Sequence, residues 1–177
     1  MYFSFFPKLA YDLSGDKTDN LVTDLFNRVK VREKILNQLT LYSTYDVVDG
    51  DTPESLAYKY YGSTQYHWVI LLINNITDRY YDWPLTIEQF ETYLNDKYIN
   101  PDGVHHYEIT QSSGEINGLG PSDNTHKIEV NSTVAGATAV TNRDYEERLQ
   151  DQKRQIKILD ATFLQPFIEE FEITIRK

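Results

Sequence analysis

The side chains in this sequence that are suited to chemistry are few and scattered. His105 and His106 are adjacent. Neighbours on a strand point to opposite faces, so the pair cannot easily share one metal ion. His67 and His126 are isolated. Asp49 and Asp51 flank Gly50 and present two carboxylates close together. In a turn, such side chains hydrogen-bond the local backbone, and that role is expected here. There are no cysteines, so disulfides, thiolate metal sites and cysteine nucleophiles are excluded. No glycine-rich phosphate loop, nucleophile elbow or zinc motif occurs. The expectation is a protein that is not an enzyme, with no catalytic, metal or cofactor-binding residue and no cofactor.

The elements that would position these residues belong to a chain of 177 residues, enough for one domain with an appendage or two small ones. Its formal charge is −10, from 27 acidic and 17 basic residues. The average field repels a phosphate backbone and an anionic membrane surface, so neither nucleic acid nor membrane is an expected partner. The longest apolar run, Trp68 to Ile73, is far too short to span a bilayer. The apolar start, MYFSFFPKLAYDL, lacks a basic flank and is interrupted by Pro7. It reads as a strand or docking segment, not a signal peptide. Tyrosine is abundant, at 14 residues, and its apolar face with a polar tip suits interfaces as well as cores.

Residues 1 to 15 look extended up to a turn at Ser14 to Asp16. Thr18 or Asp19 then caps a helix whose apolar stripe is Val22, Leu25, Phe26 and Val29. A short strand covers 43–48, and a turn at Asp49 to Thr52 uses Gly50 for a positive φ. Thr52 is a good N-cap, Pro53 suits the first helical position, Leu56, Ala57 and Tyr60 give that helix a buried face, and Gly62 stops it. A second helix through Trp68, Leu71, Leu72 and Ile73 is apolar nearly all round and is ended by Asn74 and Asn75. Residues 80–86 read as a loop, and Thr86 opens a further helix. Two strands, HHYEIT and HKIEVN, form a hairpin around a glycine-rich loop. Beyond Thr141 a helical path runs through Tyr145, Leu149, Gln152, Ile156 and Leu159. The last segment is helical, with a stripe of Phe163, Phe167, Ile168 and Phe171 and a kink or restart at Pro166.

The order strand, GDT turn, helix, Tyr-Gly, helix, Asn resembles the LysM module. The residues that carry the resemblance are Tyr45, Val47, Gly50, Asp51, Thr52, Leu56, Ala57, Tyr60, Gly62 and Asn74, with Trp68 as the core of the second helix. Pro53 stands where that module usually has leucine, Tyr61 adds a residue before Gly62, and no closing strand is legible after Asn74. The wider series DGDTPESLAYKYYGS, YHWVILLINNI, YYDWPL, YLNDKY, HHYE and TNRDYEERLQDQKRQIKIL is similar to the LysM-like baseplate wedge proteins of contractile-tailed phages.

That resemblance implies an α+β fold: a small LysM-like core at 43–99, an N-terminal arm at 1–42, a glycine-rich hairpin insertion at 100–140 and a helical arm at 141–177. It implies a structural part of the virion that clamps neighbouring wedges of the inner baseplate. The partners implied are other wedge scaffold proteins, the sheath-initiator protein and adjacent wedge copies in a sixfold ring. The contact residues expected for that role are Tyr61, Tyr81, Trp83, Tyr145, Leu149, Arg154, Ile156, Phe163, Phe167 and Phe171. A LysM-type module that binds peptidoglycan or chitin is the alternative.

Overall fold

The computed structural model describes residues 2–12, 15, 19–36, 38, 40–113 and 123–176. In chain order the regular elements are strand β1 (Lys8–Tyr11), strand β2 (Asn20–Thr23), helix α1 (Glu33–Leu36), strand β3 (Tyr42–Asp46), helix α2 (Pro53–Tyr61), helix α3 (His67–Ile73), helix α4 (Arg79–Asp82) and helix α5 (Ile87–Lys97). They continue with strands β4 (Val104–Ser113), β5 (Asp123–Val130) and β6 (Thr138–Thr141), helix α6 (Asn142–Arg154), strand β7 (Gln155–Leu159) and helix α7 (Leu164–Ile175). Helices and small antiparallel sheets are interleaved, which is an α+β fold. Packing divides the chain into two compact units, residues 1–84 with 153–177, and residues 85–152.

The first unit is organised by α3. Trp68, Val69 and Ile73 face a core with Phe6, Leu159, Ile168, Phe171 and Ile175. Ile70, on another side of the same helix, enters a second core with Val47, Leu56, Ala57, Trp83, Ile156 and Ile158. A helix apolar all round is the sequence signature of such double burial. Trp68 is ringed by aromatics, with Phe171 at 4.8 Å and Tyr2 at 5.2 Å between ring centroids.

Strand β7 pairs antiparallel with β3, from Tyr42↔Leu159 to Asp46↔Gln155. This corrects the helical path expected through Ile156 and Leu159. The pleat buries Ile156 and Ile158 in one core and Leu159 in the other, which a continued helix would not do. The strand that pairs with β3 thus comes from beyond residue 152 and not from the segment that follows Asn74.

The helix expected over Val22 to Val29 is also corrected. Asn20–Thr23 pairs with β1, and the Asp24 carboxylate then accepts from the Phe26 N–H at 2.9 Å, a side-chain turn that competes with helix. Thr18, one of its expected caps, lies outside the described residues. Tyr2–Phe5 is a 3-10 turn, not extended chain. Residues 79–82 form a helical turn capped by Asp78, where a loop was expected. Phe163 lies in a 3-10 turn, and Pro166 sits in the first turn of α7, where its missing N–H interrupts nothing.

The second unit holds α5, α6 and the sheet β5-β4-β6. The expected hairpin is β4 with β5, in register from Tyr107↔Val130. The capping box of Thr86 with Gln89 starts α5. Phe90, Leu94 and Val140 are buried. Glu146 is buried with them, its carboxylate accepting from Lys97 Nζ and the Tyr98 hydroxyl at 2.7 Å each and from the Tyr93 hydroxyl at 3.2 Å.

Candidate functional site

The turn between β3 and α2 is built mainly from local chemistry. Gly50 has φ 85°, the left-handed region that a side chain disfavours. The Asp51 carboxylate accepts from the Tyr45 hydroxyl at 2.8 Å and from the Val48 N–H at 3.1 Å. The hydrogen bond to Asp51 is the main reason that the Tyr45 phenol is pushed above its ordinary pKa. Thr52 and Ser55 form a reciprocal capping box, at 3.1 Å and 2.9 Å, with Pro53 in the first turn. Gly62 closes α2 at φ 72°, its N–H donating to the Tyr58 carbonyl. The Trp83 indole N–H donates to the Asp51 carbonyl at 3.1 Å, so the segment after α4 folds back onto the turn.

Asn74 terminates α3 and does a second job. Its amide nitrogen donates to the carbonyls of Ile70 and Lys157, and its amide oxygen accepts from the Lys157 N–H, each at 2.8 Å. The side chain therefore pairs with β7 as a neighbouring strand would.

The candidate contact residues fall into two groups. Trp83, Ile156 and Phe171 are buried, and Trp83 is only 6% exposed. Tyr81 and Phe163 are exposed, and Tyr61, Tyr145, Leu149, Arg154 and Phe167 are partly covered. The Tyr61 hydroxyl is buried with no well-formed hydrogen bond among the described residues, and burial, only partly offset by the Leu159 backbone, pushes its pKa upward. Tyr81 also offers its carbonyl to Lys153 Nζ at 2.6 Å.

In the second unit the two adjacent histidines meet after all. A register shift between Val104 and His106 turns the rings together, with Nδ1 atoms 2.7 Å apart. His105 stacks on Tyr145 with ring centroids 4.1 Å apart. His106 Nε2 lies 2.9 Å from Glu108, which also accepts from Arg148 Nη1 at 2.6 Å. Burial alone would raise the Glu108 carboxyl, but bonds from His106 and Arg148, with the charges of Arg148 and Lys127, hold it below the usual range. Among the described residues no group of three or more His, Cys, Asp or Glu side chains is arranged to hold a metal ion. The cluster ties β4 to α6, and sequence reasoning missed it because a bulge is invisible to a period-two count.

Comparison with known proteins decides the family. The sequence profile described as "Base plate wedge protein 53" matches residues 1–128. This chain belongs to that family. The baseplate wedge protein gp53 of Enterobacteria phage T4 is 28% identical over 186 residues, covering 96% of this chain and 93% of the relative. As a family member the chain is a structural baseplate wedge component of the phage tail. Among the described residues no helix is long and apolar enough to cross a membrane.

Proposed function

We propose that this wedge protein is a clamp that joins neighbouring wedges in the inner baseplate through protein–protein contacts, without catalysing a reaction. The observation that carries the proposal is the set of large apolar side chains left in solvent as sequence neighbours. In the first unit these are Leu25 with Phe26, Tyr80 with Tyr81, and Leu9 with Tyr11 on one face of β1; Phe26 is 95% exposed. In the second unit Ile87, Ile99 and Val104 are exposed. Apolar groups left in solvent in contiguous patches mark partner surfaces more often than chance. The partners in this reading are the wedge scaffold proteins, the sheath initiator and adjacent wedge copies in a sixfold ring.

The strand–helix–helix–strand arrangement of β3, α2, α3 and β7 is the LysM-like kernel of the proposal, with residues 85–152 inserted before its last strand. Tyr81, Phe163 and Phe167 supply contact area. Ile156, Phe171 and Trp83 support it from inside by fixing the elements that carry it. On α6, Tyr145, Leu149 and Arg154 are further contact residues of this reading.

The rival reading as a glycan-binding module has less to work with. The Asp51 carboxylate and carbonyl and the Thr52 hydroxyl already have partners within the chain. Mixing the purified protein with wedge scaffold proteins, and separately with purified cell wall, discriminates the two. A co-eluting complex with wedge proteins and no sedimentation with cell wall is expected. Firm binding to cell wall without any wedge complex overturns the proposal.

A further inference from the structure

The stretch between β2 and α1 differs from the rest of this acidic chain. Arg28, Lys30 and Arg32 alternate with Val29 and Val31. The three cations are exposed, Val31 is buried and Val29 is half-buried. That alternation is what an extended backbone produces. Arg28 Nη2 donates to the Asn75 side-chain oxygen at 3.1 Å. Neither Lys30 nor Arg32 has a carboxylate within ion-pair distance among the described residues. Within 27–31 no backbone N–H or carbonyl makes a backbone hydrogen bond among the described residues.

The charge of the chain is not evenly spread. Residues 85–152 hold twelve acidic and four basic side chains, hence eight of the ten net negative charges. The unit that carries the ribbon holds the remaining fifteen acidic and thirteen basic ones. The three clustered cations therefore lie in the less acidic of the two units.

Beside the ribbon runs a groove of about 240 Å³ lined by Val29, Val31, Ile35, Leu72, Phe167 and Phe171, among others. This is below the roughly 300–1,000 Å³ typical of small-molecule sites. It has room for a side chain or two, not for a cofactor. Lys30 and Arg32 stand on its ribbon side and Glu170 on the α7 side.

We infer that residues 27–32 form a docking edge for an extended, acidic segment of a partner protein. The segment adds as a strand along residues 27–31, whose backbone groups make no backbone hydrogen bond among the described residues. Its carboxylates, spaced two residues apart, meet Arg28, Lys30 and Arg32, and its intervening apolar side chains enter the groove. Alternation with period two on both sides makes one strand register satisfy charge and burial together. A nucleic acid strand fits less well, because it offers nothing to the apolar groove and would face Glu170. This contact face is additional to the one proposed above and does not depend on it.

The test uses the full chain and a fluorescein-labelled peptide in which glutamate alternates with leucine. Expected are saturable binding at low salt and a loss of at least about tenfold in the triple variant R28E/K30E/R32E. A similar loss is expected for a peptide of equal composition with its glutamates clustered, and for one N-methylated at alternate residues. Circular dichroism of the variant confirms that its fold is intact; because the three side chains are exposed and only the Arg28–Asn75 bond is lost, the melting curve should move little. Equal binding of the N-methylated or clustered peptide overturns strand addition. Absence of peptide binding, tighter binding of a single-stranded oligonucleotide, or self-association that the triple variant abolishes each overturns the assignment of the partner.

Discussion

Asn74 and Lys157 lie 83 residues apart and are joined by two hydrogen bonds of 2.8 Å, one in each direction between the asparagine amide and the lysine backbone. The bond fastens the end of α3 to the outer edge of β7. It satisfies both backbone groups of an edge residue that, among the described residues, has no third strand beside it. Asn74→Ala leaves that pair unbonded at a half-covered site, so a loss of about 1–3 kcal/mol is expected. Urea unfolding followed by tryptophan fluorescence measures it. Because Asn74→Asp keeps the acceptor but loses the donor, it should fall between wild type and alanine; an alanine variant as stable as wild type removes Asn74 from the closure of the sheet.

The turn and cap of α2 yield a second prediction. Thr52→Ala removes one half of the capping box and should cost about 1 kcal/mol. Gly62→Ala meets no atom within 4 Å, so its cost comes only from the positive φ of 72° and should be about 1–2 kcal/mol. The two sites are at opposite ends of one helix, and their effects should add to within about 0.5 kcal/mol in the double variant. Strong non-additivity, measured by thermal unfolding, contradicts independent caps.

These local features were legible because each depends on residues a few positions apart. Gly50, Thr52, Pro53 and Gly62 carry their turn and cap chemistry with them. Strand β7 was not legible. QIKIL is five residues long, and its apolar positions continue the helical spacing of Tyr145 and Leu149 while also alternating with period two. What decides for the strand is pairing with Tyr42–Asp46, more than a hundred residues upstream, and no local pattern reports that. The same competition misled over Val22. Its spacing to Leu25, Phe26 and Val29 is helical, but pairing with β1 and the Asp24 turn prevail. The α+β class came with the family resemblance, and the interleaved helices and antiparallel sheets agree with it. The Glu146 cluster was unreadable, since Lys97, Tyr98 and Tyr93 reach it from α5 and its end across about fifty positions.

The Glu146 cluster gives a pH dependence whose sign can be worked out. Burial pushes the carboxyl up, but bonds from Lys97, Tyr98 and Tyr93 outweigh it, so the folded pKa lies below the ordinary value. A depressed carboxylate stabilises the fold above its unfolded pKa of about 4.3, and that contribution is lost as pH falls through the folded value. Lys97 is shifted upward, chiefly by its bond to Glu146. Its contribution is present below the unfolded lysine pKa of about 10.4 and fades as pH rises beyond it. Stability should therefore be flat near neutrality and fall on the acid side. Glu146→Gln should lower stability at pH 7 by about 1–3 kcal/mol and flatten the acid limb. Denaturant titrations between pH 3 and 7 test this, and an unchanged acid limb in the variant assigns it to other carboxylates.

Tyr80 and Tyr81 separate folding from assembly. Their side chains are 83% and 75% exposed, and α4 is held in place by other groups: the Asp78 cap, the Asp82 carboxylate bonded to the Thr77 and Asp78 N–H groups, and Arg79 paired with Glu54. Replacing both rings with serine should leave the melting temperature within about 2 °C of wild type, because exposed substitutions seldom exceed about 0.5 kcal/mol. If these rings contact another wedge component, truncating both should weaken binding by about 2 kcal/mol or more, the scale of an interface hot spot. The readout is co-elution with wedge scaffold proteins, together with recovery of intact tails when the variant replaces the wild-type chain during phage growth. Normal tails together with a normal melting curve would remove this aromatic pair from the proposed clamp. Loss of tails with a lowered melting temperature would instead show that α4 needs the rings in order to fold.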